Sequence, residues 1–125
     1  MPPDTQRFIT LWEVALNEGL KVTPAFVYAL LAWNWEVHGG TAPKITSGLR
    51  SAAHQLTLRR RWEMGDRRGL VVKPALSSAH VRGEAFDLVR GRHLSVFGVW
   101  IKQLGGRWGG DFSTPDPVHF DFPAS

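Results

Sequence analysis

Ser78-Ala79-His80-Val81-Arg82-Gly83-Glu84-Ala85-Phe86-Asp87, read with Asp116-Pro117-Val118-His119-Phe120-Asp121-Phe122 farther along the chain, decides the fold. From Glu84 to Val89 the alternation puts Ala85, Asp87 and Val89 on one side and Phe86 and Leu88 on the other, which predicts a strand. The segment from His119 to Phe122 alternates in the same way, so a closing strand should carry His119 and Asp121 opposite Phe120 and Phe122. Gly83 permits the positive φ of a turn, and the backbone can then bring His80, in a loop, back against Asp87. Ala85 leaves room for an ion beside them. The spacing of Asp116 and His119 would suit a helix, but Pro117 pushes its preceding residue away from helical geometry. Their convergence therefore needs a proline-shaped loop entering a strand. Two histidines and two carboxylates held in this way are the side chains that bind a divalent zinc ion and activate a water on it.

Outward from these segments, Lys44 to Gly48 reads as a short strand running into a glycine turn, with Arg50 just beyond it. Ser51 to Glu63 reads as a helix with Ala52, Leu56 and Trp62 inward and Arg59, Arg60 and Arg61 exposed. Leu70 to Ser77 is expected to be irregular, since Lys73-Pro74 excludes a helix. Leu94 to Leu104 predicts a last helix stopped by Gly105-Gly106; Trp108 to Phe112 is too glycine-rich for a helix, and Pro115 and Pro117 make the next segment a loop. Toward the N-terminus, Thr5 to Leu20 predicts an amphipathic helix, and Thr23-Pro24 opens a more apolar one running to about Val37. Its tryptophans and Tyr28 fall at helical spacing and are read as core. There is no repeat, linker or low-complexity tract. The expected architecture is one α+β domain over residues 1–125, with a helical part (1–40) and a site-bearing core (41–125).

At 125 residues and 14.0 kDa the chain suits a single core, and 43% hydrophobic residues make a folding composition. The absence of cysteine excludes disulfides and thiolate ligands, so any metal must be held by His, Asp and Glu. A net charge of +4 predicts attraction to a polyanion, whether nucleic acid, an acidic membrane surface or wall polymer, without choosing among them. The arginines at 59–61, 67 and 68 are read as a solvated face. No basic segment followed by an apolar run opens the chain, and the apolar run from Ala25 to Trp33 is too short for a bilayer. Synthesis as a soluble protein is the expectation.

Among other polar residues, His54 lies on the helix after Arg50, where it could border a cleft or simply face solvent. His38 reads as a structural cation at a helix C-terminus and His93 as a surface residue. Glu84 could compete as a base, but alternation turns it away from Asp87. Ser78 suits a local hydrogen bond, and Asp121 shares the face of His119, where it could orient an imidazole.

Taken together, Ser47-Gly48-Leu49-Arg50-Ser51, the SxHxxGxAxD pattern ending at Asp87, Trp108-Gly109-Gly110 and Asp116-Pro117-Val118-His119-Phe120 resemble the zinc D-Ala-D-Ala carboxypeptidase and L-alanyl-D-glutamate endopeptidase family, which includes small phage endolysins. The four blocks span residues 47–120; the residues before them match no block of the family. The resemblance implies a Hedgehog/DD-peptidase-like fold, helices packed on a short antiparallel sheet that carries the zinc site. It implies His80, Asp87 and His119 as zinc ligands, Asp116 as general base and Arg50 as the cation near the scissile carbonyl; Trp108, in one of the four blocks, is expected either at the cleft or behind the residues that line it. Phe112 stands where relatives often have tryptophan, a difference in pocket shape. The function implied is a zinc-dependent endopeptidase cutting peptidoglycan stem peptides, with D-Ala-D-Ala carboxypeptidase as the alternative within the class. Expected partners are wall peptides and anionic wall polymers, with no nucleic acid, no membrane and a monomeric state. The expected route is synthesis in the host cytoplasm and action in the periplasm or wall, after holin-type release or as a virion component. A catalytically inactive basic module binding wall or nucleic acid is the reading of another class. It is disfavoured because ligands, base and arginine are all present.

Overall fold

The computed structural model describes residues 3–70, 73–75 and 78–123. Two helices, α1 (Pro3–Asn17) and α2 (Val22–Val37), form an N-terminal hairpin. They are followed by β1 (Ile45–Ser47), α3 (Ala52–Glu63), β2 (Ala85–Leu88), α4 (His93–Gln103), β3 (Arg107–Trp108), a 3-10 turn at Gly109–Asp111, and β4 (His119–Asp121). The strands form one antiparallel sheet in the order β1-β2-β4-β3, which makes the fold α+β. Among the described residues no helix is long and apolar enough to cross a membrane.

Strand alternation divides the sheet into two faces. Phe86 and Leu88 of β2 and Phe120 of β4 turn toward α1, α2 and α4, where they join Leu11, Leu31, Phe97 and Ile101 in the core. Phe86 and Phe120 stack with centroids 5.7 Å apart, and Phe97 meets Phe120 edge-on at 6.3 Å. Each ring is fully buried, a burial worth about 1.5–3 kcal/mol per side chain. Tyr28, which belongs to the core as expected, donates its hydroxyl to Pro43 O at 2.7 Å. The opposite face carries Asp87 and His119, which are direct cross-strand partners.

Several elements differ from expectation. In α3 the buried residues are Gln55 and Leu58, whereas Ala52 and Leu56 are exposed and Trp62 is half-buried beneath Arg67. This helix lies outside the core cluster, and its inward contact is polar: Gln55 Nε2 donates to Ala75 O at 2.6 Å. Arg107 and Trp108, where no strand is expected, pair with β4, and the Gly-Gly step makes a tight turn. A Cβ on Gly109 would run into the carbonyl of Asp116, so glycine is what lets the two loops close on each other. His93 is buried rather than on the surface; its ring packs against Trp35 and Phe97 and donates from Nε2 to Val89 O at 2.9 Å. Arg59 pairs with Glu63, and Arg61 and Arg68 with Asp66, which neutralises much of the basic run. Of the segment expected to be irregular, 71–72 and 76–77 lie outside the described residues.

Candidate metal centre

His80 sits in a turn whose shape follows from its sequence. Ser78 Oγ accepts the His80 N–H at 3.2 Å, Glu84 N donates to Ala79 O at 2.9 Å, and Gly83 takes φ 70°. The Gly83 carbonyl accepts Lys21 N–H at 2.9 Å, tying the turn to the helical hairpin. The ring of His80 is thereby placed with Nδ1 2.9 Å from Gly48 O. A carbonyl only accepts, so Nδ1 carries the proton and Nε2 is the atom turned to Asp87 Oδ1, 3.1 Å away. His119 is oriented the opposite way round. Its Nε2–H donates to Asp121 Oδ2 at 2.8 Å, and Nδ1 faces the same Asp87 Oδ1 at 3.3 Å.

Three atoms, His80 Nε2, Asp87 Oδ1 and His119 Nδ1, thus converge, and one ligand atom from each residue lies within 4.8 Å of the others. Zinc bonds of about 2.0–2.1 Å in a tetrahedron put neighbouring ligand atoms about 3.3 Å apart, which is the spacing found on the two Asp87 edges. The remaining ring nitrogens are both committed to oxygen acceptors, as metal-binding imidazoles require. The donor set fits a divalent metal of the zinc type, with one tetrahedral position left for water or substrate.

Electrostatics point the same way. Burial acts to raise the Asp87 carboxyl, but hydrogen bonds from His119 and His80, together with their charge, hold it well below the usual carboxylate range. Burial alone would lower His119, yet Asp121 and Asp87 hold its pKa up at about 9. The site without metal thus keeps a proton where a cation belongs. Arg50 braces the other side of Asp87: Nη2 donates to Oδ2 at 3.1 Å, Nε to Ser47 Oγ at 3.0 Å, and its backbone N–H to His80 O at 3.1 Å.

Asp116 opens the turn leading into β4, its N–H on Gly109 O at 2.8 Å and its carbonyl accepting His119 N–H at 3.0 Å. Burial and the neighbouring Asp87 charge raise its pKa, against the opposing pull of His119, His80 and Arg50. It opens, with Ser78, Arg50, Phe112 and the three converging residues, onto a cleft of about 800 Å³. Ser78 and Asp121 stand where the sequence suggests, one in the turn under His80 and one behind His119. Two other expected residues do not line the cleft, and of these Trp108 takes the position behind it. His54 is exposed on α3, its N–H capped by Ser51 Oγ, and Trp108 supports the site from behind by donating Nε1–H to Pro117 O at 2.8 Å. Glu84 is taken up by Lys21 and Arg82 at 3.0 and 2.9 Å, which removes it as a base. Sequence reasoning missed Arg107, which binds both oxygens of Asp121, and Gln55, which meets Arg50 Nη1 at 3.4 Å. The only signal for Arg107 was its position beside the Trp-Gly-Gly block.

No family model and no curated protein matches the chain. Among solved structures it is similar to the L-Ala D-Glu endopeptidase ChiX of Serratia marcescens, with a TM-score of 0.59 and 21% sequence identity over 93% of this chain and 86% of that one. At this identity the likeness is one of fold.

Proposed function

We propose that this chain is a zinc-dependent peptidase that cuts peptidoglycan stem peptides, as an L-alanyl-D-glutamate endopeptidase of the endolysin type. The observation that carries the proposal is the convergence of His80, Asp87 and His119 in a cleft that also holds Asp116. The fold shared with an L-Ala D-Glu endopeptidase supports the substrate class. When bound to these three residues, zinc would supply Lewis acidity, polarising the scissile carbonyl and making water easier to deprotonate. Asp116 takes the proton of the attacking water. The water oxygen joins the carbonyl carbon, the C–N bond breaks, and Asp116 passes its proton to the leaving amine. A carboxyl whose pKa is raised by burial and by Asp87 is suited to both halves of that exchange. Arg50, held on Asp87, offers its remaining N–H groups to the developing oxyanion, a contribution of about 3–4 kcal/mol for one such donor.

Two further cations, Lys73 and Arg90, line the cleft and make no ion pair or hydrogen bond among the described residues. They suit a substrate that carries carboxylates, as a glutamate-containing stem peptide does. The proposal places the action in the bacterial wall, reached through a holin-made lesion or from a virion.

Digestion of purified peptidoglycan and defined muropeptides, followed by mass analysis of the new termini, tests this reading. Free D-Glu amino termini and L-Ala carboxyl termini are expected. Release of D-Ala instead would make the protein a carboxypeptidase, and no product from zinc-loaded protein would leave only a binding module.

A further inference from the structure

We infer that Arg107 is a positioning residue for the metal centre, acting through Asp121 on the imidazole of His119. Arg107 and Asp121 are direct cross-strand partners on β3 and β4. The guanidinium engages the carboxylate as a planar fork, Nε to Oδ1 and Nη2 to Oδ2, both at 2.8 Å. Oδ2 also accepts the Nε2–H of His119 at 2.8 Å. Asp121 is fully buried, and its neighbour on the other side is Ala85, whose side chain offers no donor. With both oxygens on one rigid fork the carboxylate cannot turn about its own axis, so the remaining direction of Oδ2 stays aimed at His119. The imidazole is fixed in turn, with Nδ1 directed at Asp87.

A second contact closes the ring. The Arg107 guanidinium lies 5.5 Å from the centroid of Phe112, and the Phe112 ring lies 5.6 Å from that of His119. Phe112 also lines the cleft. One half-exposed arginine therefore steadies both the ligand and the cleft wall beside it. Lysine would not replace it, because an ammonium is a single point donor and cannot grip both oxygens in a plane.

The inference rests on the reading of His80, Asp87 and His119 as a metal site, and two measurements keep the two apart. The first is zinc affinity by competition with a chromogenic chelator, for the intact chain and for Arg107→Gln and Arg107→Lys. The glutamine variant should bind zinc about tenfold more weakly, at the lower end of the loss from outer-shell changes, and the lysine variant should fall between it and wild type. The second is the imidazole region of the nitrogen-15 spectrum of metal-free protein. His119 Nε2–H should be slow to exchange in wild type and lost by exchange in the glutamine variant. Weaker zinc binding together with that loss supports the inference. Wild-type zinc affinity in Arg107→Gln overturns it, even if the variant melts earlier, since lower stability alone would mark a merely structural ion pair. Should the glutamine variant fail to fold, the lysine variant decides alone: wild-type affinity and an unchanged imidazole signal overturn the inference. A wild-type chain that binds no zinc overturns the metal reading first.

Discussion

Phe86 and Asp87 are neighbours in β2, and His119 and Phe120 are neighbours in β4, yet the two pairs divide between opposite faces of one sheet. On the core face the rings are held by area and shape: a stack at 5.7 Å and edge contacts with Tyr28 and Phe97, all among apolar neighbours. On the site face almost every polar atom has a named partner, and Asp87 alone meets His80, His119 and Arg50. The core face needs no charge to be stable. The site face turns three donor atoms to one point, a set that could hold a cation. The two faces should therefore fail under different perturbations.

The largest effect should come from removing a ligand. His80→Ala is expected to abolish stoichiometric zinc binding and to lower activity by roughly 10³-fold or more, while circular dichroism stays native. Asp116→Asn should cost about 10²- to 10⁴-fold in kcat with zinc content unchanged, because it removes proton transfer and leaves the ligands alone. Zinc loss in the Asp116 variant, or full activity in either, would break the assignment of roles.

Phe120→Ala attacks the other face. Deleting a fully buried ring should destabilise the chain by about 3–5 kcal/mol in denaturant titration. That loss should be the same from pH 6 to pH 9, since Tyr28, whose ring meets Phe86 edge-on, has its hydroxyl pKa pushed up to about 12 by burial and stays neutral throughout. The site face should not share this indifference. His119 in metal-free protein has its pKa raised to about 9, so its contribution to stability is complete below the unfolded value, near 6.5. It is lost as pH rises through about 9. Metal-free protein should accordingly melt at falling temperature over that window, while zinc affinity rises over it as His119 gives up its proton. A pH-independent melting curve for the metal-free chain would show that the histidine is not held by its two carboxylates.

How much of this was legible beforehand follows from the same contrast. Strand alternation at 84–89 and 119–122 separates the two faces without any structure, because successive side chains of a strand point to opposite sides. Pro117 likewise marks Asp116 as a loop residue, and Asp116 does lie outside helix and strand, opening the turn whose His119 N–H bonds its carbonyl. The failures all concern polar packing or register. Helix α3 turns Gln55 inward because its neighbours are Arg50 and the Ala75 carbonyl, so a search for apolar periodicity selects Leu56 instead. The burial of His93 depends on Trp35 and Phe97 folding over it, which no local pattern announces. Strand β3 has two residues, too few for alternation, and the pairing of Arg107 with Asp121 exists only once the register with β4 is known.

The smallest expected effect concerns the cleft beyond the metal residues. Arg90 follows β2 on a turn held at both sides of Val89, whose N–H donates to Lys44 O at 3.0 Å and whose carbonyl accepts His93 Nε2 at 2.9 Å. An exposed cation on so firm a base can meet a substrate carboxylate with little ordering cost, but solvent screens the attraction. Arg90→Glu should raise KM for an acidic stem peptide about five- to tenfold and leave kcat near wild type. An amidated version of the same peptide should show little difference between the two proteins. If the charge reversal acts equally on acidic and amidated substrates, Arg90 shapes the cleft without reading charge, and the selectivity for acidic peptides must come from Lys73, Arg50 or the metal itself.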